Sequence, residues 1–175
     1  MLYLIGLGLN EKSFSFESVR ALKKCKKIYL ENYTSVFQGS IQNLEKLIGN
    51  KINLVDRDFV ENYNVSNAMK EDISLLINGD VFSATTHISL FQEAKKNKVP
   101  VKVINNASIL TAVGITGLSL YNFGKTASIP FENDKIESPI KILNDNQKIN
   151  AHTLFLLDLN PGENKYLSIK DAVEY

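Results

Sequence analysis

Short apolar runs of strand length alternate with segments of helical periodicity along the N-terminal part of this sequence. Five such runs are predicted to be buried strands: Leu2–Ile5, Ile28–Leu30, Ile52–Val55, Ile73–Ile77 and Val101–Ile104. Strands that alternate with helices form parallel sheets with helices on both faces. We therefore predict an α/β fold in which residues 1–110 form an N-terminal domain with a five-stranded parallel sheet.

The remaining residues, 111–175, contain only a few further elements. The segment 109–121 is apolar and rich in small residues, which predicts a closely packed connecting helix. Four elements are predicted after it: a strand at 126–131, a helix at 140–146, a strand at 153–159 and a helix that Ser168 caps. Because these elements are too few to bury both faces of a sheet, we interpret 111–175 as the incomplete start of a second α/β domain.

The composition is that of an ordinary globular protein, with 44% hydrophobic and 22% charged residues among 175. A formal net charge of +1 argues against a nucleic-acid-binding surface. No signal peptide or membrane-spanning run is evident, which predicts a soluble, cytoplasmic protein. Cys25 is the single cysteine, and His87 and His152 lie far from it and from each other, so we expect neither a disulfide nor a metal site.

The segment that follows the fourth predicted strand, Gly79–Leu90, is the first candidate for a binding site. Ligands of open α/β sheets bind where strands end. Asp80 offers a carboxylate at that point, and Ser83, Thr85 and Thr86 offer hydroxyl groups. The alternative is an ordinary loop whose aspartate and threonines only cap the next helix.

Three other strands are followed by loops that contain glycine or polar residues. With the segment above, these loops are Leu7–Asn10, Glu31–Ser35, Gly79–Thr86 and Asn105–Ser108. The carboxyl ends of parallel strands lie on one edge of a sheet, so we expect the four loops to form one site there. Gly6-Leu-Gly8 is only weak evidence for a dinucleotide site, because Glu11 stands where a third glycine is required, and a plain turn remains possible.

Two other features have competing interpretations. A predicted helix capped by Ser15, with Phe16, Val19 and Leu22 on its inner face, ends in a cluster of lysines around residues 23–27. Lysines at the C-terminal, negative end of the helix dipole stabilise the helix. The alternative is that they form a docking surface for an acidic partner. Gly124-Lys-Thr126 resembles the end of a P-loop, but a strand-like segment follows where a P-loop requires a helix, so we reject a nucleotide-hydrolysing site.

Five sequence blocks together resemble a known family. They are Met1–Leu9, Ile28–Ser35, Gly79–His87, Asn106–Ile109 and His152–Asp158. In this order they are similar to the diphthine synthase family of the tetrapyrrole methylase superfamily, over nearly the whole chain. Members of that family continue beyond the equivalent of residue 175, so we expect a C-terminally truncated sequence. It lacks the insertion that eukaryotic members carry between Asp158 and Tyr166, which indicates an archaeal type.

The resemblance implies an S-adenosylmethionine-dependent N-methyltransferase that releases S-adenosylhomocysteine. Its expected acceptor is the 3-amino-3-carboxypropyl group on a histidine of translation elongation factor 2, whose amine is trimethylated to diphthine in diphthamide biosynthesis. The family forms homodimers and binds the cofactor in a cleft between two α/β domains. Two alternatives remain: another enzyme of the superfamily, such as a corrin-precursor methyltransferase, or a non-catalytic interaction module.

Matched by motif, six residues are expected to contact the cofactor: Leu9, Asp80, Ser83, Ser108, Ile109 and Leu157. Val81 stands where the family usually has proline, which predicts a less rigid turn, and Ser83 stands where the family usually has a small or apolar residue. His87 is a candidate for the base that deprotonates the acceptor amine, with a structural role as the alternative. Thr85 and Thr86 are expected either to position the amine or to cap the helix.

Overall fold

A computed structural model describes all of residues 1–175. The chain divides into two compact units, Met1–Ile109 and Leu110–Tyr175, and each is described separately. Helices both long and apolar enough to cross a membrane are absent from the structure.

The first unit contains a five-stranded, entirely parallel sheet. Its strands are β1 (Leu2–Gly6), β2 (Lys27–Glu31), β3 (Asn53–Val55), β4 (Ile73–Ile77) and β5 (Val101–Ile104), in the spatial order β3-β2-β4-β1-β5. Every residue of β1 and β4 is buried, as expected of strands covered on both faces. The predicted fold class and five-stranded parallel sheet are confirmed.

Four helices of the first unit cover this sheet. They are α1 (Phe16–Leu22), α2 (Ile41–Ile48), α3 (Arg57–Glu61) and α4 (Ile88–Lys96), with a 3₁₀ turn at Val65–Met69. The side chains of Ser15, Ser40 and Asp56 accept a backbone N–H at the starts of α1, α2 and α3. Gly49 ends α2 in the left-handed conformation.

The core lies in two layers because alternate residues of each strand point to opposite faces. In β1, Leu2 and Leu4 belong to one layer, and Tyr3 and Ile5 belong to the other. Residues of α3 and α4 complete the first layer, and residues of α1 and α2 complete the second. The loops at the carboxyl ends of the strands are therefore attached to a rigid scaffold.

The inner face of α1 differs from the prediction. Ser15 does cap the helix, but Ser18, Ala21 and Leu22 are its buried residues, and Phe16 is 79% exposed. A buried serine is tolerated on this face because its hydroxyl lies 2.8 Å from the hydroxyl of Ser15. The spacing of apolar residues predicted the wrong inner face for α1, because it does not take account of the hydroxyl pair of Ser15 and Ser18.

The second unit contains short elements. They are α5 (Ile109–Ala112, which begins at the last residue of the first unit), β6 (Ala127–Ile129), α6 (Ser138–Lys148), β7 (Phe155–Leu157), β8 (Leu159–Asn160), β9 (Lys165–Tyr166) and α7 (Ile169–Glu174). β6 pairs with β7 in parallel, and β8 pairs with β9 antiparallel. Ser168 caps α7, as predicted, and the strand β6 after Gly124-Lys-Thr126 agrees with the rejection of a P-loop.

The predicted connecting helix over 109–121 is wrong. α5 ends at Ala112, and 3₁₀ turns follow at Val113–Thr116 and Leu120–Asn122. Gly117 adopts a φ of +85° between these turns, which ends the helical conformation. The predicted strand at 153–159 is likewise divided into β7 and β8, and α6 is longer than the predicted 140–146.

Candidate functional site

The loops after β1 and β4 are joined directly by their backbones. Gly8 N–H donates to the carbonyl of Gly79 (2.9 Å), and Gly79 N–H donates to the carbonyl of Gly8 (3.1 Å). Both glycines adopt a φ of +74°, a conformation that residues with a Cβ atom rarely adopt. The first and third of the four predicted loops therefore lie together at the carboxyl edge of the sheet.

The glycines at positions 6 and 8 are explained by packing within the chain. A Cβ atom on Gly6 would lie 2.6 Å from the carbonyl oxygen of Gly79, and one on Gly8 would lie 2.8 Å from Oδ1 of Asn106. Both distances are shorter than van der Waals contact allows. The close approach that the Gly-x-Gly pattern indicates is therefore made by the protein's own loops.

Asp80 connects the loop after β4 with the loop after β5. Its Oδ1 accepts hydrogen bonds from Phe82 N–H (3.1 Å) and the Ser83 hydroxyl (3.1 Å), and its Oδ2 accepts from Asn106 N–H (3.0 Å). A carboxylate offers about four acceptor sites, two on each oxygen, so Oδ2 can accept one more hydrogen bond. Asp80 thus fixes the turn and still presents a negative charge at a half-buried position.

Asn106 is a structural residue of this edge that the sequence analysis did not single out. Its side-chain amide donates to the carbonyls of Gly6 (3.1 Å) and Ser13 (2.9 Å), so it ties the loop after β5 to the segment after β1. An asparagine two residues after a predicted strand was visible in the sequence, but its partner at residue 13 was not.

Glu31 is the second residue that the sequence analysis missed. It is fully buried at the end of β2, and its carboxylate accepts N–H groups of Tyr33 (3.2 Å), Thr34 (3.0 Å) and Asn78 (3.3 Å). The Thr34 hydroxyl also donates to it. A buried carboxylate requires such compensation, and here it joins the loop after β2 to the end of β4.

His87 lies directly before α4 and is 1% exposed. Its Nε2 is 3.3 Å from the Tyr33 hydroxyl, and its Nδ1 has no hydrogen-bond partner in the protein. Burial lowers the pKa of His87, and the negative charge of Glu31 opposes that shift. The imidazole is therefore held neutral at neutral pH beside a phenol.

The alternative that the central turn only caps α4 is not supported. The N-cap of α4 is His87, which makes no side-chain capping bond. Asp80 bonds within its own turn and to Asn106, and the Thr85 hydroxyl donates to the carbonyl of Val81 (2.7 Å). The polar side chains of this segment organise the loop itself.

Five of the six predicted cofactor residues belong to the first unit and follow the strand ends described above. Asp80 and Ser83 are bonded to each other, and Ser108 is buried beside Gly79. Leu9 and Ile109 are 43% and 46% exposed, so both present apolar surface outside the core. The sixth, Leu157, is half-buried at the end of β7 in the second unit. No group of three or more His, Cys, Asp or Glu side chains is placed to hold a metal ion.

One known protein family matches nearly the whole chain. The family model described as "Tetrapyrrole (Corrin/Porphyrin) Methylases" matches residues 1–165. The chain belongs to this family. The match includes all of the loops that form the carboxyl edge of the sheet and most of the second unit.

The chain is similar to diphthine methyl ester synthases and to diphthine synthase structures. It is 46% identical to the enzyme of Saccharomyces cerevisiae over 93% of this chain and 57% of that protein. It is 40% identical to that of Schizosaccharomyces pombe over 95% of this chain and 61% of that protein. A crystal structure of diphthine synthase matches with a TM-score of 0.90 and 34% identity over 99% of this chain and 70% of that chain. The chain therefore spans about three fifths of the length of these curated relatives.

Proposed function

We propose that this chain carries the cofactor-binding part of a methyltransferase of diphthamide biosynthesis, with S-adenosylmethionine as the methyl donor. Membership of the methylase family and similarity to diphthine synthases along nearly the whole chain support this proposal. The similarity to diphthine synthases weighs against the corrin-precursor methyltransferase, and membership of a methylase family weighs against the non-catalytic interaction module. The observation that carries the proposal is the carboxyl edge of the sheet, where Asp80 joins the loops after β4 and β5 and where Leu9 and Ile109 expose apolar surface.

The chemistry of these groups suits a sulfonium nucleoside. In the proposed complex, the carboxylate of Asp80 accepts hydrogen bonds from polar groups of the cofactor, and Leu9 and Ile109 contact its apolar parts. Ser83 and Ser108 are proposed to contribute polar contacts at the same site. Because the loops are already bonded to one another, little ordering is required when the cofactor binds.

The proposed acceptor is the modified histidine of translation elongation factor 2, and the proposed assembly is a homodimer. The first reaction is trimethylation of the acceptor amine, as the sequence resemblance implies. A second acceptor, the neighbouring carboxylate, is favoured by the names of the relatives, since diphthine methyl ester synthases of fungi are 40–46% identical to this chain. Ester formation would correct the archaeal type inferred from the missing insertion.

Calorimetric titration with S-adenosylhomocysteine tests cofactor binding. We expect saturable binding by the wild-type chain and a loss of about tenfold or more in affinity for Asp80→Asn, since a hydrogen bond to a charged group contributes about 1.5–3 kcal/mol. Asp145→Asn is the matched control, because Asp145 is an exposed aspartate of α6 in the second unit. Absence of binding both by the folded chain and by a version extended to the length of its relatives would refute the proposal.

Methylation of elongation factor 2 that bears the 3-amino-3-carboxypropyl group tests the reaction. Mass spectrometry of the modified peptide counts the methyl groups, and mild base distinguishes a labile ester from stable N-methyl groups. A trimethylated, base-stable product supports amine transfer alone. An additional base-labile methyl group supports ester formation as well.

A further inference from the structure

The methyl transfer proposed above requires a proton acceptor. An ammonium group has no free lone pair, so each attack on the sulfonium methyl must be preceded by loss of a proton from the acceptor nitrogen. His87 alone does not meet this requirement by direct contact, because it is 1% exposed. A group that reaches the surface must connect it with the acceptor.

Tyr33 is placed to make that connection. It is half-buried in the loop after β2, and its hydroxyl lies 3.3 Å from Nε2 of His87. The phenol can therefore donate its proton inward to His87 while its oxygen accepts one from outside.

The Tyr33–His87 pair is anchored to the same framework as the proposed cofactor site. The buried carboxylate of Glu31 accepts the backbone N–H of Tyr33 on one side and that of Asn78 on the other. Asn78 is separated from Asp80 only by Gly79. Since β2 and β4 are neighbours in the sheet, the phenol and Asp80 follow adjacent strand ends.

We infer that Tyr33 and His87 form a proton relay for the acceptor amine, with Tyr33 as the group that touches the acceptor and His87 as the positioning and proton-storing residue behind it. This inference rests on the proposed function. The acceptor ammonium gives a proton to the Tyr33 oxygen while the Tyr33 hydroxyl proton passes to Nε2 of His87. The freed amine lone pair then forms the N–CH₃ bond as the S–CH₃ bond breaks and its electron pair stays on sulfur. The imidazolium later releases its proton to solvent through the same hydroxyl.

The charges around the pair fit this role. Burial keeps His87 neutral and able to accept a proton, and Glu31 stabilises the imidazolium that forms. Two further carboxylates, Glu61 of α3 and Glu93 of α4, line a cavity of about 30 Å³ beside His87. One cation, Arg57 of α3, lies with its Cζ 5.3 Å from the centre of the Tyr33 ring.

Kinetics of Tyr33→Phe, His87→Gln and the double variant test the relay. Glutamine can accept the Tyr33 hydrogen bond but cannot take up a proton, so it separates proton storage from structure. We expect each single variant to lower kcat at pH 7 by about 10²–10⁴ with KM changed less than about threefold. The double variant should be no slower than the slower single variant, since both changes break one relay. The defect should shrink as the pH approaches the pKa of the acceptor amine.

Tyr121→Phe is the control, because Tyr121 is fully exposed in the second unit. A wild-type kcat and pH profile in His87→Gln overturns the relay while leaving the proposed function intact. No transfer by the wild-type protein refutes the proposed function, and the relay to an amine with it. In ligand-free protein, nitrogen NMR should show that Tyr33→Phe shifts the Nε2 resonance of His87, and an unchanged resonance overturns the pairing on its own.

Discussion

The substitution Glu31→Gln gives a sharp test of how the carboxyl edge is held together. In the wild type, Oε2 accepts the N–H groups of Tyr33 and Thr34, and Oε1 accepts Asn78 N–H and the Thr34 hydroxyl. An amide retains one oxygen and replaces the other with NH₂. The less costly orientation keeps the amide oxygen in the position of Oε2, which accepts two backbone N–H groups. The NH₂ group then replaces Oε1, and the Thr34 hydroxyl can rotate to accept a hydrogen bond from it.

That orientation leaves Asn78 N–H buried without an acceptor and removes the charge from the remaining bonds. An unsatisfied buried donor costs about 1–3 kcal/mol, and bonds to a charged acceptor are about twice as strong as neutral ones. We therefore expect Glu31→Gln to destabilise the first unit by about 2–4 kcal/mol.

Urea unfolding followed by circular dichroism, together with amide hydrogen exchange at residues 33, 34 and 78, measures this effect. Glu17→Gln is the control, since that glutamate is exposed in α1 and is expected to change stability by less than about 0.5 kcal/mol. If Glu31→Gln unfolds at the wild-type urea concentration and the amide of Asn78 keeps its protection, the carboxylate does not hold these loops together.

Three further outcomes are expected. Gly8→Ala should destabilise the fold more than Gly49→Ala in thermal melts. Both glycines have φ near +73°, but of these two positions only position 8 would place a Cβ atom within 3 Å of other atoms. Equal effects of the two substitutions would contradict the close-approach explanation. Asn146→Ala should cost about 1–3 kcal/mol in urea, because the buried amide bonds both backbone groups of Lys125, while exposed Asn144→Ala should be neutral. Burial raises the pKa of the Cys25 thiol to about 11, so iodoacetamide should react slowly with it at pH 8.5 until urea unfolds the chain. The free energy of unfolding should fall as the pH rises from the unfolded thiol pKa of about 8.5 to about 11, because only the unfolded state ionises in that range.

The strands were predictable because local sequence decides them. The strands Ile73–Ile77 and Val101–Ile104 have the predicted bounds. In each case an apolar run is bounded by a turn or a polar loop, so no distant partner is needed to define the element.

The polar framework was not predictable in the same way. Glu31 looks like a charged residue at the start of a loop, and its burial depends on Asn78, 47 residues away. Asn106 depends on the carbonyl of Ser13, 93 residues away. A carboxylate or amide directly after a buried strand is the available signal, but its partner is determined only when the sheet order is known. The position of Asp80 after the fourth strand singled it out, but the sequence did not show that its carboxylate also holds Asn106.

Taken together, these contacts connect the loops after β1, β4 and β5 in a closed circuit and attach the loop after β2 to it. Glu31 joins the loop after β2 to β4, Asp80 joins the loop after β4 to that after β5, and Asn106 joins the latter to the segment after β1. The Gly8–Gly79 backbone pair closes the circuit between β1 and β4. Because the loops after β1, β4 and β5 are each fixed by two others, one broken link among them is expected to loosen its neighbours as well. Asp80→Asn and Asn106→Ala should therefore both weaken S-adenosylhomocysteine binding, whereas a direct contact alone would make only Asp80 sensitive.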